Sequence, residues 1–116
     1  MGTRLLCVVL ALLVGLPLGQ NRQSNAPRGP SRGYVPDATT AVKIGEAVLV
    51  PVFGEKRIAA ERPFHATLEG DVWSVEGTLY CPDGTLSTTT QMCKGGTAVV
   101  KLSKTDARIL FMMHYK

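Results

Sequence analysis

The sequence contains few of the residues that catalytic and metal sites usually need. Its 116 residues include two histidines, three cysteines and one tryptophan. No HExxH or GxSxG motif occurs, no glycine-rich phosphate loop follows a predicted strand, and no two carboxylates stand at a characteristic spacing. We therefore expect a protein that is not an enzyme and that holds neither a cofactor nor a metal ion.

The net charge of +4 comes from the first third of the chain. Four of the 13 basic residues precede Val35, namely Arg4, Arg22, Arg28 and Arg32. The other nine balance all nine acidic residues, so residues 35–116 are formally neutral. A nucleic-acid partner would favour a basic domain, and we expect none here. The apolar share of 45% suffices for one small core.

Residues 1–20 have the pattern of a signal peptide. Arg4 precedes an unbroken apolar run from Leu5 to Leu16, and Pro17 then interrupts any helix. Crossing a bilayer takes about 20 apolar residues, so this run is too short for a membrane span and suits a secretory leader. The sequence therefore predicts export to the periplasm or the medium, with no membrane span after leader removal. The alternative is an uncleaved N-terminal anchor.

Residues 21–33 are rich in Gly, Pro, Ser and Asn and contain no aliphatic side chain larger than that of alanine. Such a segment cannot bury enough apolar area to offset the cost of ordering its backbone. It is predicted to be a disordered linker that leads into a single domain at residues 34–116.

Two helices are predicted to open this domain. Asp37 follows Pro36 and is a suitable N-cap for a first helix. Apolar residues then recur at helical spacing, at Ala38, Ala41, Val42, Gly45, Val48, Leu49 and Val52. Pro51 ends the helix near Val50 or bends it there, and Gly54 closes the segment. A second, short helix precedes Pro63.

The rest of the domain has the two-residue period of strands. Four strands are predicted, at residues 64–69, 72–79, 97–102 and 108–115, with a tight turn at Gly70-Asp71 between the first two. The fourth strand places Ile109, Phe111 and Met113 on one side. Helices followed by consecutive strands with short turns indicate an α+β domain, in which the helices pack on one face of a four-stranded antiparallel sheet.

Cys81 and Cys93 bracket a polar, threonine-rich excursion between the second and third strands. In an oxidising compartment an even pair of cysteines around a loop indicates a disulfide. Free thiols are one alternative, and a metal site that recruits His65 and His114 is another. Neither spacing resembles that of a zinc site.

Only a few other side chains invite a functional interpretation. Glu46 lies between apolar neighbours on the first helix and could act as an acid in a pocket, although a solvent-facing acid is the simpler interpretation. His65, His114 and Tyr115 lie on strands and could line a groove. Trp73 and Phe64 are expected in the core.

The order of several local patterns resembles the bacterial nuclear-transport-factor-two fold immunity proteins, which are small antidotes of polymorphic toxin systems. The markers are Pro36-Asp37 before the first helix, AVLVP with Gly54-Glu55 after it, and Arg62-Pro63-Phe64 before the sheet. The VWSVEGTL strand and the closing KTDARIL and HYK runs complete the pattern, which covers about 80 residues. The excursion over residues 81–94 departs from it.

The resemblance implies a shortened cone-like fold, in which helices pack on a curved sheet, and a function by protein binding. The expected partner is a cognate toxin, and the leader would place that toxin in the periplasm or envelope. We expect the excursion to contact the toxin, because loops on rigid scaffolds carry recognition. Candidate contact residues are Asp83, Thr85, Thr88, Gln91 and Lys94. The alternative for this loop is a disordered hairpin tip.

Two other function classes stay open at this point. Larger proteins of this fold use the cone interior for chemistry, so a small-ligand carrier or enzyme is possible if a deep cavity contains Glu46 or His65. A chain this short is instead expected to fill its interior with Val48, Leu49, Trp73 and Phe111. A structural or stress protein of the envelope, without a toxin partner, is the third class.

Overall fold

A computed structural model describes Gly15 and residues 30–116 of the chain. The predicted signal peptide, apart from Gly15, and the predicted linker as far as residue 29 lie outside the described residues. The elements in chain order are α1 (Ala38–Phe53), α2 (Glu55–Ala60), β1 (His65–Glu69), β2 (Val72–Glu76), β3 (Ala98–Ser103) and β4 (Ile109–His114). This order confirms the predicted α+β class. None of the described helices has the length and apolar character needed to cross a membrane.

Helix α1 begins and ends at the predicted signals. The Asp37 carboxylate accepts a hydrogen bond from the Thr40 backbone N–H at 2.7 Å, and this bond lowers the pKa of Asp37. The helix continues through Pro51 to Phe53, so an end at Val50 is wrong. Gly54, with a φ of 93°, then terminates it, and its N–H donates to the Val50 carbonyl.

The four strands form one antiparallel sheet in the order β1-β2-β3-β4. One cross-strand row consists of Ala66, Val75, Val100 and Met112, on the face that receives the helices. β2 ends at Glu76, three residues before the predicted end, because the chain there leaves the sheet for the excursion. The other strand limits lie within one residue of the prediction.

The core lies between α1, α2 and this inner face of the sheet. Ten buried residues form it: Val35, Ala41, Leu49, Ile58, Phe64, Trp73, Val75, Ala98, Val100 and Leu102. Trp73 also donates its indole N–H to the Val35 carbonyl at 2.8 Å, which anchors the segment before α1. Helix and sheet approach closely at Gly45, where a Cβ would lie 2.8 Å from a methyl group of Val75. The core positions of Trp73 and Phe64 are confirmed.

Three predicted interior residues are exposed, among them Ala38 at the start of α1. Val52, in the predicted apolar stripe of α1, is 60% exposed near the helix end. Phe111 was expected to fill the interior and does not, because a bulge changes the facing of β4. Lys101 and Leu102 pair with Phe111 and Ile109, which leaves Leu110 without a cross-strand partner.

The bulge also separates the three β4 residues that the sequence places on one side. Ile109 shares the face of buried Leu102, whereas Phe111 and Met113 lie on the outer face. Met112 packs against the core in place of Phe111.

Candidate functional site

The excursion between β2 and β3 is a cross-linked loop. A disulfide joins Cys81 and Cys93, whose Cα atoms are 5.5 Å apart. Within the loop, Tyr80 and Leu86 form an isolated β-bridge, and the Ser87 N–H donates to the Leu79 carbonyl at 3.0 Å. These links give the loop a hairpin-like shape of its own at one end of the sheet, between the end of β2 and the start of β3.

Three of the five predicted contact residues shape the loop from within. The Asp83 carboxylate accepts hydrogen bonds from the Thr85 hydroxyl at 2.7 Å and from the Thr85 N–H at 3.0 Å. These bonds, the one from the hydroxyl first, lower the pKa of Asp83. The Thr88 hydroxyl accepts from the Gln91 N–H at 3.1 Å. Asp83, Thr85 and Thr88 therefore engage their own loop, while Lys94 is exposed.

Sequence reasoning missed the exposed apolar residues of the same loop. Met92 is 81% exposed and Leu86 is 53% exposed. Both lie in a segment otherwise made of polar residues, glycine and proline. An apolar residue in such a segment was the sequence signal that could have identified them. Large apolar side chains that are exposed to solvent on a cross-linked loop are suited to contact with a protein partner.

A second feature is a buried acid and imidazole pair at the same end of the sheet. Glu61 follows α2 and is 8% exposed. One of its carboxylate oxygens accepts from the Ala98 N–H at 3.2 Å, and the other lies 2.5 Å from Nε2 of His114. The His114 ring also packs against Phe53, with ring centroids 5.6 Å apart. Glu61 thus ties the end of α2 to β3 and β4.

An open groove of about 940 Å³ lies beside this pair. Its wall includes Phe53 and Arg57 from the helices, and His114 and Tyr115 from the end of β4. Glu61 was not among the predicted site residues. The available signal was its spacing of three residues from the apolar Ile58, which places the two on one side if the helical turn continues to Glu61.

The other acid and histidine that the sequence singled out lie elsewhere. Glu46 accepts from Nε of Arg62 at 3.3 Å, and Arg62 also donates to Glu55 at 3.0 Å. The hydrogen bond to Glu55 is the main reason why the pKa of Arg62 is raised. Glu46 is therefore an acid paired with a surface arginine, in agreement with the simpler interpretation of this residue.

A groove lined by His65, His114 and Tyr115 together does not form. β1 and β4 are opposite edges of the sheet, so His65 lies far from the other two. Only His114 and Tyr115 share a groove. Across residues 30–116, no three side chains of His, Cys, Asp and Glu come close enough to hold a metal ion.

The fold and these features define a small α+β domain, with two helices on one face of an open antiparallel sheet and a cross-linked loop at one end. A family described as NTF2 fold immunity protein matches residues 40–116, and the chain belongs to this family. The match runs from the first turn of α1 through the excursion to β4. It confirms the resemblance drawn from the sequence. Comparison with curated proteins and with solved structures finds no match.

Proposed function

We propose that this protein neutralises a cognate bacterial toxin by binding it, without chemistry of its own. The observation that carries the proposal is the family match over residues 40–116, which covers nearly the whole folded domain. The described residues also present exposed apolar side chains suited to a protein partner. A toxin antidote of this kind acts by covering a surface of the toxin.

We propose that neutralisation takes place outside the cytoplasm. The apolar run from Leu5 to Leu16 has the length of a secretory leader, and the Cys81–Cys93 disulfide suits an oxidising compartment. Mass spectrometry of protein from the periplasmic fraction tests this point. The expected product lacks the leader, and an intact N-terminus would contradict export.

The excursion is the proposed contact surface. Leu86 and Met92 would supply the apolar contacts, and Gln91 and Lys94 the polar rim, while Asp83, Thr85 and Thr88 hold the loop in shape. A pre-shaped loop loses less conformational entropy on binding than a flexible one. A few such apolar residues commonly carry most of the binding free energy.

The test is co-expression with the toxin encoded by the neighbouring gene, followed by purification of the complex. Growth rescue and a stable complex are expected. Leu86→Asn and Met92→Asn should each weaken binding by about tenfold, because a central contact is worth on the order of 1.4 kcal/mol or more. Val52→Asn is the matched control, since the exposure of Val52 lies between those of Leu86 and Met92 but the residue belongs to α1.

The outcomes separate the two parts of the proposal. Failure of every neighbouring toxin to be rescued or bound would contradict toxin neutralisation and favour a structural or stress role in the envelope. Rescue and binding that survive both loop substitutions would leave neutralisation intact and contradict the excursion as the contact surface.

A small-ligand or catalytic function is the second candidate, and the groove beside Glu61 and His114 is the observation that favours it. The groove exceeds the volume of about 300 Å³ that a ligand site needs. Both Glu61 oxygens, however, already hold a structural hydrogen bond. His114→Gln should preserve rescue, and loss of rescue in a folded His114→Gln protein would favour the ligand-binding alternative.

A further inference from the structure

The two edges of the sheet differ in their protection against strand pairing. β1 carries His65 and Glu69, and its short sequence alternates polar and apolar residues. Residues 109–113 of β4 contain no charged residue and no proline. Four of these five residues are between 36% and 45% exposed. Natural edge strands normally carry charges, prolines, bulges or covers that prevent pairing with another chain. Residues 109–113 have neither charges nor prolines, and the bulge at Leu110 lies near the start of β4, so residues 111–114 keep a regular register with β3.

The register of β4 shows which backbone groups face its outer edge, where residues 30–116 supply no further strand. The Tyr115 N–H donates to the Thr97 carbonyl of the chain that leads into β3. Because hydrogen-bonded and non-hydrogen-bonded pairs alternate between antiparallel strands, Met113 and Phe111 also direct their N–H and carbonyl groups to β3. Met112 and His114 therefore direct theirs away from the sheet, as docking points for an added strand.

Such a strand would partly bury side chains on both faces of β4. Phe111 and Met113 lie on the outer face, and Nζ of Lys101 lies 5.9 Å from the centre of the Phe111 ring. On the other face, α1 packs mainly against β1, β2 and β3, and its last residue, Phe53, contacts His114 near the end of β4. The helix therefore covers β4 less than it covers the other three strands. A strand added to this edge would extend the apolar surface of both faces.

Charge decides which strand fits this edge. Basic side chains flank β4: Arg108 precedes the strand, Lys116 follows it, and Lys101 lies next to Phe111. The two nearby acids are engaged within the domain, since Asp106 accepts from the Arg108 N–H and Glu61 lies against His114. In an antiparallel pair of two copies, the basic start of one strand would face the basic end of the other, which is unfavourable. A partner strand that is apolar in its middle and acidic at its ends would match both the apolar residues of β4 and the basic residues that flank it.

We propose that β4 accepts an extended strand of the toxin, apolar in its middle and acidic at its ends. The inference rests on the proposed function and names the part of the toxin that is recognised. The base of the excursion adjoins this edge, since Gly96 packs against Tyr115 so closely that no Cβ would fit. One toxin can therefore add a strand to β4 and contact the excursion at the same time.

The experiment compares amide hydrogen exchange in the mature protein, free and bound to a catalytically inactive form of the toxin that the rescue assay identifies. The Met112 and His114 amides should exchange at least about tenfold more slowly in the complex, because they become hydrogen-bonded. The Met113→Lys substitution should weaken binding by about tenfold. Thr67→Lys, on the outer face of the opposite edge strand, is the matched control and should bind normally.

Each other outcome overturns the inference in a distinguishable way. A complex that leaves the Met112 and His114 amides unchanged and tolerates Met113→Lys would overturn strand addition and leave toxin neutralisation intact. Concentration-dependent self-association that Met113→Lys abolishes would assign the edge to a second copy instead. Absence of any complex would overturn both the proposed function and the strand inference.

Discussion

Replacing Glu61 with alanine is expected to destabilise the domain by about 2–4 kcal/mol. The magnitude follows from the two partners of this buried carboxylate. The Ala98 N–H is buried and would lose its acceptor, which costs about 1–3 kcal/mol. His114 borders the groove, where water can replace part of the lost bond, so its share is about 1 kcal/mol.

Urea unfolding followed by fluorescence measures this effect, because Trp73 is the single tryptophan and lies in the core. Glu61→Gln is the matched variant. Its amide oxygen can still accept from the Ala98 N–H, and its NH₂ group can approach His114, so it should lose clearly less stability than Glu61→Ala. A double-mutant cycle with His114→Ala should give a coupling of about 1 kcal/mol.

A Glu61→Ala protein within about 0.5 kcal/mol of the parent would refute the view that this acid ties α2 to the sheet. Equal losses in Glu61→Ala and Glu61→Gln would refute it too, since the amide keeps the hydrogen-bonding shape. Glu61→Gln should also retain toxin rescue, because neither the excursion nor the backbone of β4 uses the Glu61 side chain to contact the toxin.

Three further predictions concern the loop, the helix–sheet contact and the helix cap. Thiol titration of unreduced protein should find neither Cys81 nor Cys93 free, and the Cys81→Ser/Cys93→Ser protein should lose about 2–3 kcal/mol in urea unfolding. Gly45→Ala should lose about 1 kcal/mol, because a close contact costing about 1–3 kcal/mol outweighs the gain in helix propensity. Asp37→Asn should be less stable than the parent at neutral pH, and this difference should vanish in acid. The pKa of Asp37 is lowered in the folded protein, so its contribution is present above the unfolded pKa of about 3.9 and is lost as pH falls through the folded pKa.

Each of these three predictions has an outcome that would contradict it, and the second has a control variant. Two titratable thiols would contradict the disulfide. Ala47→Gly, on the exposed side of α1, measures helix propensity alone, and a stabilised Gly45→Ala protein would contradict the close approach. An Asp37→Asn protein with the same acid transition as the parent would contradict the contribution of the cap.

The local patterns of the chain predicted most of the fold. Asp37 and Gly54 marked the ends of α1, because capping depends on residues within one turn. The apolar residues Trp73 and Val75, two positions apart, identified the inner face of β2, because side chains alternate between the two faces of a strand. The fold class followed from the order of the elements alone.

The candidate site was less predictable because its groups come from distant parts of the chain. Glu61 and His114 are 53 residues apart, and nothing in either local segment indicates that they meet. Asp83 and Thr88 were predicted contact residues, but their hydrogen bonds are internal to the loop. Sequence alone could place polar side chains on the excursion and could not tell which ones the loop itself would use.

The sequence by itself determined the helices, the strands and the neutral charge of the domain, since each depends on local period, capping or composition. The tertiary structure decided which residues those elements bury. The unpaired Leu110 turned Phe111 to the outer face and moved Met112 into its place, and the end of α2 brought Glu61 onto β3 and β4. Bulges and contacts between distant segments depend on how strands and helices meet, which no local pattern records.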